Sequence, residues 1–325
     1  MSAEAAVAEH APGALNRDRV VGLLQDYGIY AAVVALILID TALNSSFFST
    51  SNLKVQLFQV VPVVLVALGM ALVIGTGGID LSVGAVIALA AAFIPLYIGY
   101  GAAAAIVVCV LAGIVAGLLS GSMVALAGVQ PIVATLSLMI GLRGLAVIIN
   151  GASAKPVMDP AIISLGIDDL FGVPKMAWVA VVIVIVIAFV MRRTNFGRQL
   201  VSIGDNRIAS ELGGLPVRRV VLTVYVISGV LAAIAGVMIV GHGAEADPAN
   251  YGLNYELSAI TAVVVGGTPL SGGKVRVVGT VAGALFMQLI TATLVQHNVS
   301  NSYAQMVEAG IIVAAVYVAR GRAAS

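Results

Sequence analysis

A run of 62 residues without one charged side chain constrains the fold of this chain more than any other feature. No Asp, Glu, Lys or Arg occurs from Leu81 to Leu142. One helical span needs about 20 mostly apolar residues, because the hydrocarbon core of a bilayer is about 30 Å thick. The run is therefore long enough for about three spans. Further uncharged runs cover 55–79, 176–191, 220–244 and 277–307.

The composition of the whole chain agrees with this pattern. Hydrophobic residues make up 61% and charged residues only 10%, whereas about a quarter of the residues of a soluble domain are charged. The apolar runs do not alternate as the strands of a membrane barrel do. The sequence predicts an all-α polytopic membrane protein with about ten transmembrane helices. These are placed near 27–43, 57–75, 81–98, 103–126, 132–150, 176–191, 219–241, 256–267, 277–296 and 303–319.

The charged residues predict an orientation for these spans. Cytoplasmic loops carry an excess of Lys and Arg, and segment 192–219 holds six arginines. Segment 242–256 carries three acids without Lys or Arg, which places it outside. Arginines near both chain ends place both termini in the cytoplasm, and ten spans satisfy all these constraints. Residues 1–26 and 320–325 are predicted to be cytoplasmic tails, the first of them disordered, and 27–319 the transmembrane domain.

One pattern, GG-x-x-L-S-x-G, occurs at residues 77–84 and again 189 residues later at 266–273. Each copy lies between two apolar runs, and the loop charges place both in the cytoplasm. The pattern predicts two structural turns of an internally duplicated unit, in which spans 1–4 correspond to spans 7–10. The signature residues are Gly77, Gly78, Asp80, Ser82, Gly266, Gly267, Ser271 and Gly273.

Asp80 invites two interpretations. A carboxylate just before a helix is stabilised by the helix dipole, so Asp80 is well placed to cap the third span. The alternative is a substrate ligand, which fits poorly with a cytoplasmic turn. We therefore expect a structural role.

Three stretches make the chain resemble a known transporter family. Residues 76–84 read TGGIDLSVG, and residues 130–136 read QPIVATL, followed by Arg143 and Gly144. The third stretch runs from TNFGR at 194–198 through IGDN at 203–206 to VVVGGTPLSGG at 263–273. On these residues the chain resembles the membrane permease of ribose- and galactofuranose-type ABC sugar importers, within the branched-chain amino acid and ribose permease superfamily. The resemblance covers about residues 50–318.

The resemblance implies a bacterial inner-membrane importer for a monosaccharide, either a pentose or a hexose. It implies a second permease copy, identical or not, a cytoplasmic ABC ATPase and an extracytoplasmic sugar-binding protein, with membrane lipid around the spans. ATP would be used by the partner ATPase, and this chain would bind no cofactor. One departure is the stretch 208–215, where the family commonly has a paired Ala-Ala before Gly-Ile; this leaves open which ATPase docks here.

Segment 192–219 is the best candidate for coupling to that ATPase, because a permease without an ATP site must receive force through a cytoplasmic element. Asp205 or Asn206 can cap a short helix there, and Gly213 or Gly214 can end it. An ordinary basic loop is the alternative. The predicted coupling residues are Gly204, Asp205, Asn206, Ala209, Glu211, Leu212 and Gly213.

Five polar residues in or beside the spans are candidates for the translocation path, namely Gln130, Thr135, Arg143, Asn150 and Gln288. An Arg inside a membrane usually faces a cavity or a partner, so Arg143 either lines the path or binds a carbonyl or carboxylate of another span. The uncharged four offer the hydrogen bonds that a sugar needs. Hydrogen bonds between helices are the alternative for each of them.

Other function classes find little support. A net charge of +1 offers no footprint for nucleic acid. The three histidines are dispersed, so no metal site is predicted, and no nucleophile and base stand together, so an enzyme is not expected. A branched-chain amino acid permease is the nearest alternative function. An ion-coupled secondary transporter should show an intramembrane acid, which the central spans lack.

Overall fold

The computed structural model of the protein describes residues 14–43, 47–151 and 153–296, single positions between 299 and 313, and side chains from Tyr27 onward. Within these residues the chain is helical apart from loops and two small sheets. The helices are α1 (Ala14–Leu43), α2 (Thr50–Gly75), α3 (Val83–Tyr97), α4 (Ala102–Ala125), α5 (Pro131–Asn150), α6 (Pro160–Ile167), α7 (Lys175–Arg193), α8 (Asn195–Asp205), α9 (Arg207–Leu212), α10 (Val217–Gly243), α11 (Tyr255–Val265) and α12 (Val277–Gln296).

The loops between the helices contain two antiparallel pairs of short strands. Strand β1 (Lys155–Pro156) pairs with β4 (Glu245–Ala246), so that Lys155 lies opposite Ala246. Strand β2 (Asp169–Leu170) pairs with β3 (Val173–Pro174) in a hairpin. A single 3-10 turn, Ile98–Tyr100, extends α3.

The described residues contain seven helices long and apolar enough to cross a membrane, which confirms an all-α, multi-pass architecture. These are α2, α3 with its 3-10 extension, α4, α5, α7, α10 and α12. Two shorter apolar helices, Tyr27–Leu43 and α11, correspond to the predicted first and eighth spans. The predicted tenth span at 303–319 lies largely outside the described residues, so the number ten stays a prediction.

Two helices begin earlier than predicted. Helix α2 starts at Thr50 rather than 57, because Ser49 accepts a hydrogen bond from the Asn52 N–H and Lys54 forms an ion pair with Asp169. Helix α1 starts at Ala14, so a helix extends through residues 14–26 into the predicted first span; the disordered cytoplasmic tail stays a prediction. Residues 1–13 and 320–325 lie outside the described residues.

Helix α10 forms the centre of the bundle and packs along α2, α3 and α4. Its contact with α4 depends on glycines at every fourth position, Gly113, Gly117 and Gly121. A Cβ atom on Gly113 would lie 2.4 Å from the Gly229 carbonyl oxygen. Small residues at such positions let two backbones approach closely, which is a main source of packing energy between helices in lipid.

The two GG-x-x-L-S turns lie together at one end of the bundle, which we call the α9 end. The Gly273 N–H donates to the Gly75 carbonyl at 3.1 Å, so the loop before α12 contacts the end of α2. Helices α8 and α9 lie at the same end. Loop 153–174 and strand β4 lie at the opposite end, where β1 and β4 pair. These contacts bring the two turns close together; their placement on the cytoplasmic side of the membrane stays a prediction.

We expect Gly113→Ala to destabilise the bundle by about 1–3 kcal/mol, the usual cost of overpacking a tight contact. Gly141→Ala on α5 is the matched control, because a Cβ atom there meets no atom within 4 Å. Thermal denaturation of the purified protein in detergent measures both variants. Equal midpoints for the two variants would contradict the packing account.

Candidate functional site

Helix α9 is short, capped at both ends and exposed. The Asn206 Oδ1 atom accepts a hydrogen bond from the Ala209 N–H at 2.9 Å, so Asn206 is its N-cap. The Leu215 N–H donates to the Ser210 carbonyl and the Gly214 N–H donates to the Glu211 carbonyl. Together with the positive φ of 78° at Gly214, these bonds form a Schellman motif. The predicted short helix is present. The sequence offered Asp205 and Asn206 as N-caps of this helix. Asn206 is the N-cap, because Asp205 is the last residue of α8.

The surface of α9 combines two apolar side chains with an ion pair. Ile208 is 72% exposed and Leu212 is 85% exposed, one helical turn apart. Beside them Arg207 and Glu211 form an ion pair with N to O distance 3.4 Å. Neighbouring large apolar side chains that project from a polar loop are typical of a surface that contacts another protein.

Helix α8 fixes α9 to the bundle. Its buried residues Gly197, Leu200 and Ile203 face the protein. At its end Gly204 touches two other backbones, since a Cβ atom there would lie 1.9 Å from the Gly75 oxygen and 2.4 Å from the Gly273 nitrogen. We call Gly75, Gly204, Gly272 and Gly273 the glycine junction. Through it, α8 contacts the end of α2 and the loop before α12 directly.

The two signature turns end their helices in the same way. After α2 the N–H groups of Gly77 and Gly78 donate to the carbonyls of Ile74 and Val73. After α11 the N–H groups of Gly267 and Thr268 donate to the carbonyls of Val264 and Val263. Both are Schellman motifs whose left-handed residue is glycine, with φ of 79° at Gly77 and 87° at Gly267.

When the two turns are aligned by their helix caps, the alignment is shifted by one residue from the alignment of their sequence patterns. Gly77 corresponds to Gly267, so the capping positions are 190 residues apart, whereas the sequence pattern repeats after 189. Beyond the caps the turns differ in length. Helix α3 begins at Val83, but α12 begins only at Val277, after a longer loop that contains Ser271, Gly272 and Gly273.

Asp80 joins the first turn to the middle of α10. It is 1% exposed. Its Oδ1 atom accepts hydrogen bonds from the N–H and the hydroxyl of Ser82, at 3.0 and 2.6 Å. Its Oδ2 atom accepts one from the Ser228 hydroxyl at 2.8 Å. The N-cap of α3 is Ser82 rather than Asp80, so the predicted direct cap is wrong in detail. Because both oxygens have partners inside the protein, the geometry favours the structural interpretation.

The first turns of α3 and α11 meet inside the bundle. A Cβ atom on Gly84 would lie 2.3 Å from the Gly252 oxygen and 2.4 Å from the Glu256 Oε2 atom. Helix α11 has 11 residues and is therefore about 16 Å long, too short to cross a core about 30 Å thick. Segment 247–254 thus enters the bundle to reach α3. Short helices that begin within the membrane are characteristic of transporters.

Arg143 holds this inserted segment in place. Its guanidinium donates to the carbonyl oxygens of Tyr251 at 3.3 Å and of Gly252 at 3.0 Å. The sequence analysis left open whether Arg143 lines the path or binds a carbonyl or carboxylate of another segment. In the structure it binds two carbonyls. The Tyr251 hydroxyl donates a hydrogen bond to Glu245.

Comparison with known proteins agrees with this membrane architecture. Residues 52–316 match the family model described as branched-chain amino acid transport system / permease component. The ribose import permease protein of Escherichia coli (strain K12) is 36% identical over 293 residues, covering 88% of this chain and 91% of the relative. The galactofuranose transporter permease protein of the same strain is 35% identical over 297 residues, covering 88% and 87%. The L-arabinose ABC transporter permease protein of Azospirillum brasilense is 30% identical over 302 residues, covering 92% and 89%. No solved structure matches the chain.

The chain belongs to this permease family. It is a multi-pass protein of the bacterial inner membrane and a transport subunit, not an enzyme. Among the residues described, no group of three His, Cys, Asp or Glu side chains is placed to hold a metal ion.

The other polar residues predicted to line a path are dispersed in the permease. Gln130 is the exposed N-cap of α5 at the α9 end. Near it, the Thr135 hydroxyl donates to the carbonyls of Ile79 and Pro131. Asn150, at the opposite end, donates to the carbonyls of Ser153 and Ala246. Gln288 lies between α12 and α2, where it donates to Gln56 and Gln59. These contacts do not bring the five candidates together at one site.

Sequence reasoning missed several residues that the structure makes prominent. Ser228 carries no signal in a run of small and apolar residues, although it is the partner of Asp80. Gln56 lies just before the predicted second span and Gln59 lies inside it, but nothing in the sequence shows that both face Gln288 of α12. A helix that starts at Thr50 places both on one face with Asn52.

We expect Arg143→Met to loosen the inserted segment, because two buried carbonyls lose a charged donor. A hydrogen bond to a charged group contributes about 1.5–3 kcal/mol. Hydrogen exchange of residues 247–254, followed by mass spectrometry, should become faster by 10-fold or more. Arg143→Lys keeps one donor and should show a smaller effect. Unchanged exchange in the Met variant would contradict the anchoring role.

Proposed function

We propose that this permease is the transmembrane subunit of an ABC importer that moves a monosaccharide, either a pentose or a hexose, into the bacterial cell. Two permease copies would form the path. A pair of ABC ATPases would bind the cytoplasmic face, and an extracytoplasmic binding protein would deliver the sugar. ATP belongs to the ATPase subunits, and this chain would bind no cofactor of its own.

Helix α9 carries this proposal. It presents Ile208 and Leu212 to solvent at the end of the molecule whose loop holds six arginines. That charge favours the cytoplasm, which is where an ATPase would bind. A helix whose terminal backbone groups are hydrogen-bonded can transmit a force without fraying. The coupling residues Gly204, Asp205, Asn206, Ala209, Glu211, Leu212 and Gly213 all lie on α9 or at the ends that join it to the bundle.

The glycine junction suggests how a movement of α9 would reach the path. Helix α8 touches the end of α2 and the loop before α12 through backbone atoms, without flexible side chains between them. A displacement of α8 must therefore shift both signature turns together. Asp80 links the first turn to Ser228 in α10, the central helix. Alternating access would then arise when closure of the paired ATPases moves α9 and, through these contacts, the bundle.

The topology proposed for the permease has both termini in the cytoplasm and ten spans. The α9 end would be cytoplasmic, and loops 151–174 and 244–254 would face outside. We also propose that spans 1–4 and 7–10 arose by duplication. The shared Schellman caps and their position at one end support this, although the one-residue shift shows that the two turns have diverged.

Uptake assays in the native host test the proposed substrate class. We expect deletion of the gene to reduce uptake of one radiolabelled sugar, among ribose, L-arabinose and galactofuranose, by 10-fold or more, and a plasmid copy to restore it. Radiolabelled leucine tests the alternative amino acid permease. Loss of leucine uptake with normal sugar uptake would overturn the proposal.

Ile208→Asp combined with Leu212→Asp should abolish binding of the ATPase, because it places two charges in an apolar contact. We expect at least 10-fold less ATPase to copurify with the permease in detergent, and the amount of permease in the membrane to stay normal. Met158→Asp is the matched control, since Met158 is 75% exposed at the opposite end. Normal copurification with the double variant would rule out α9 as the docking element.

A further inference from the structure

A groove lined by side-chain amides opens between α2 and α12 at the end of the permease opposite α9. It has a volume of about 400 Å³. Asn52, Gln56 and Gln59 lie along one face of α2, and Thr291 and Gln296 lie along α12. Gln288 borders these residues through its hydrogen bonds to Gln56 and Gln59. We call these six residues the amide groove.

The composition of the amide groove is unusual for this chain. Four of the eight glutamines in the sequence lie on it. None of the residues that line it is Asp, Glu, Lys or Arg, and the nearby Lys54 forms an ion pair with Asp169 instead. Val55, Ala292 and Val295 supply apolar surface beside the amides. Among the described residues that line the groove, a charged ligand would find no counterion, and burying its charge would be costly in so apolar a protein.

Hydrogen bonding between helices is the simplest explanation for polar residues in membrane spans. It accounts for the contacts of Gln288 with Gln56 and Gln59 and for that of Gln296 with Asn52. It does not by itself explain the open space of about 400 Å³ beside these amides. The volume lies in the range of about 300–1,000 Å³ typical of sites for small molecules.

The chemistry of the groove matches one class of ligand. Each carboxamide offers both donors and acceptors, and each sugar hydroxyl is both a donor and an acceptor. The apolar side chains can cover the C–H faces of a sugar ring. We propose that the amide groove binds the hydroxyl groups of the transported monosaccharide as it enters the permease from the outside. This inference rests on the proposed function and its orientation.

Substitutions in the groove test this role in the native host. Gln59→Leu and Thr291→Val remove hydrogen-bonding groups, and Thr41→Val is the matched control, because its hydroxyl donates to the Ile37 carbonyl of its own helix. The probe is whichever of radiolabelled ribose, L-arabinose or galactofuranose the wild-type permease takes up. At saturating sugar we expect uptake 10-fold or more slower for Gln59→Leu and about threefold slower for Thr291→Val. Thr41→Val should stay within twofold.

Chemical labelling provides a readout that misfolding does not mimic. Cys109 is the only cysteine and is buried, so a Cys109→Ala background allows a single new thiol at Gln59→Cys. A membrane-impermeant methanethiosulfonate should label this thiol in intact cells and block uptake, and excess transported sugar should slow labelling at least threefold. Val115→Cys, exposed on the apolar surface of α4, should not react.

The outcomes separate the inference from the proposed function. If the wild-type permease takes up a sugar, the inference is overturned by any one of three results: normal uptake by Gln59→Leu, no labelling of the thiol at position 59, or labelling at the same rate with and without sugar. If the wild type takes up leucine and no sugar, the proposed function itself fails, and with it the sugar assignment of the groove.

Discussion

The contact among Gly75, Gly204 and Gly273 is the constraint on which the rest of the functional architecture depends. The three backbone segments meet at Gly204, where a Cβ atom would clash with backbone atoms of Gly75 and Gly273, and the Gly273 N–H bonds to the Gly75 carbonyl. At Gly204 no side chain lies between the backbones to absorb movement. The contact therefore makes α8, the end of α2 and the loop before α12 one mechanical unit, with α9 as its exposed part.

Buried polar contacts carry the connection from that unit into the bundle. An unpaired polar group in an apolar interior is costly, so the bonds between Asp80 and Ser228 and between Arg143 and the carbonyls of residues 251 and 252 will resist breaking. The first bond ties the turn after α2 to α10. The second fixes the segment that meets α3 at Gly84. A path that opens in this protein must open around these fixed points or break them.

Much of the architecture was predictable, because charge-free runs and loop arginines report directly on the bilayer. The α9 cap at Asn206 and its glycine ending followed from local chemistry. The sites of contact did not, because a long-range partner such as Ser228 or the carbonyl of Gly252 has no sequence signal. Arg143 shows how far the sequence reaches. The sequence indicates that a buried Arg needs a hydrogen-bond partner, but it does not identify the carbonyls of residues 251 and 252 as that partner. The amide groove was missed because the sequence shows Gln56, Gln59 and Gln288 only as separate polar residues and does not show that α2 and α12 pack side by side.

The central claim is that the contact at Gly204 transmits movement from α9 to the bundle. It is tested most directly by a reconstituted importer that carries Gly204→Ala, in which the sugar transported per ATP hydrolysed is measured. A Cβ atom at this position would lie 1.9 Å from the Gly75 oxygen and must separate α8 from α2. With α9 itself unchanged, the ATPase should still bind and hydrolyse ATP, while sugar uptake in proteoliposomes falls by 10-fold or more. Gly28→Ala, where a Cβ atom meets nothing within 4 Å, serves as the control. An unchanged ratio of sugar transported to ATP hydrolysed would contradict the account.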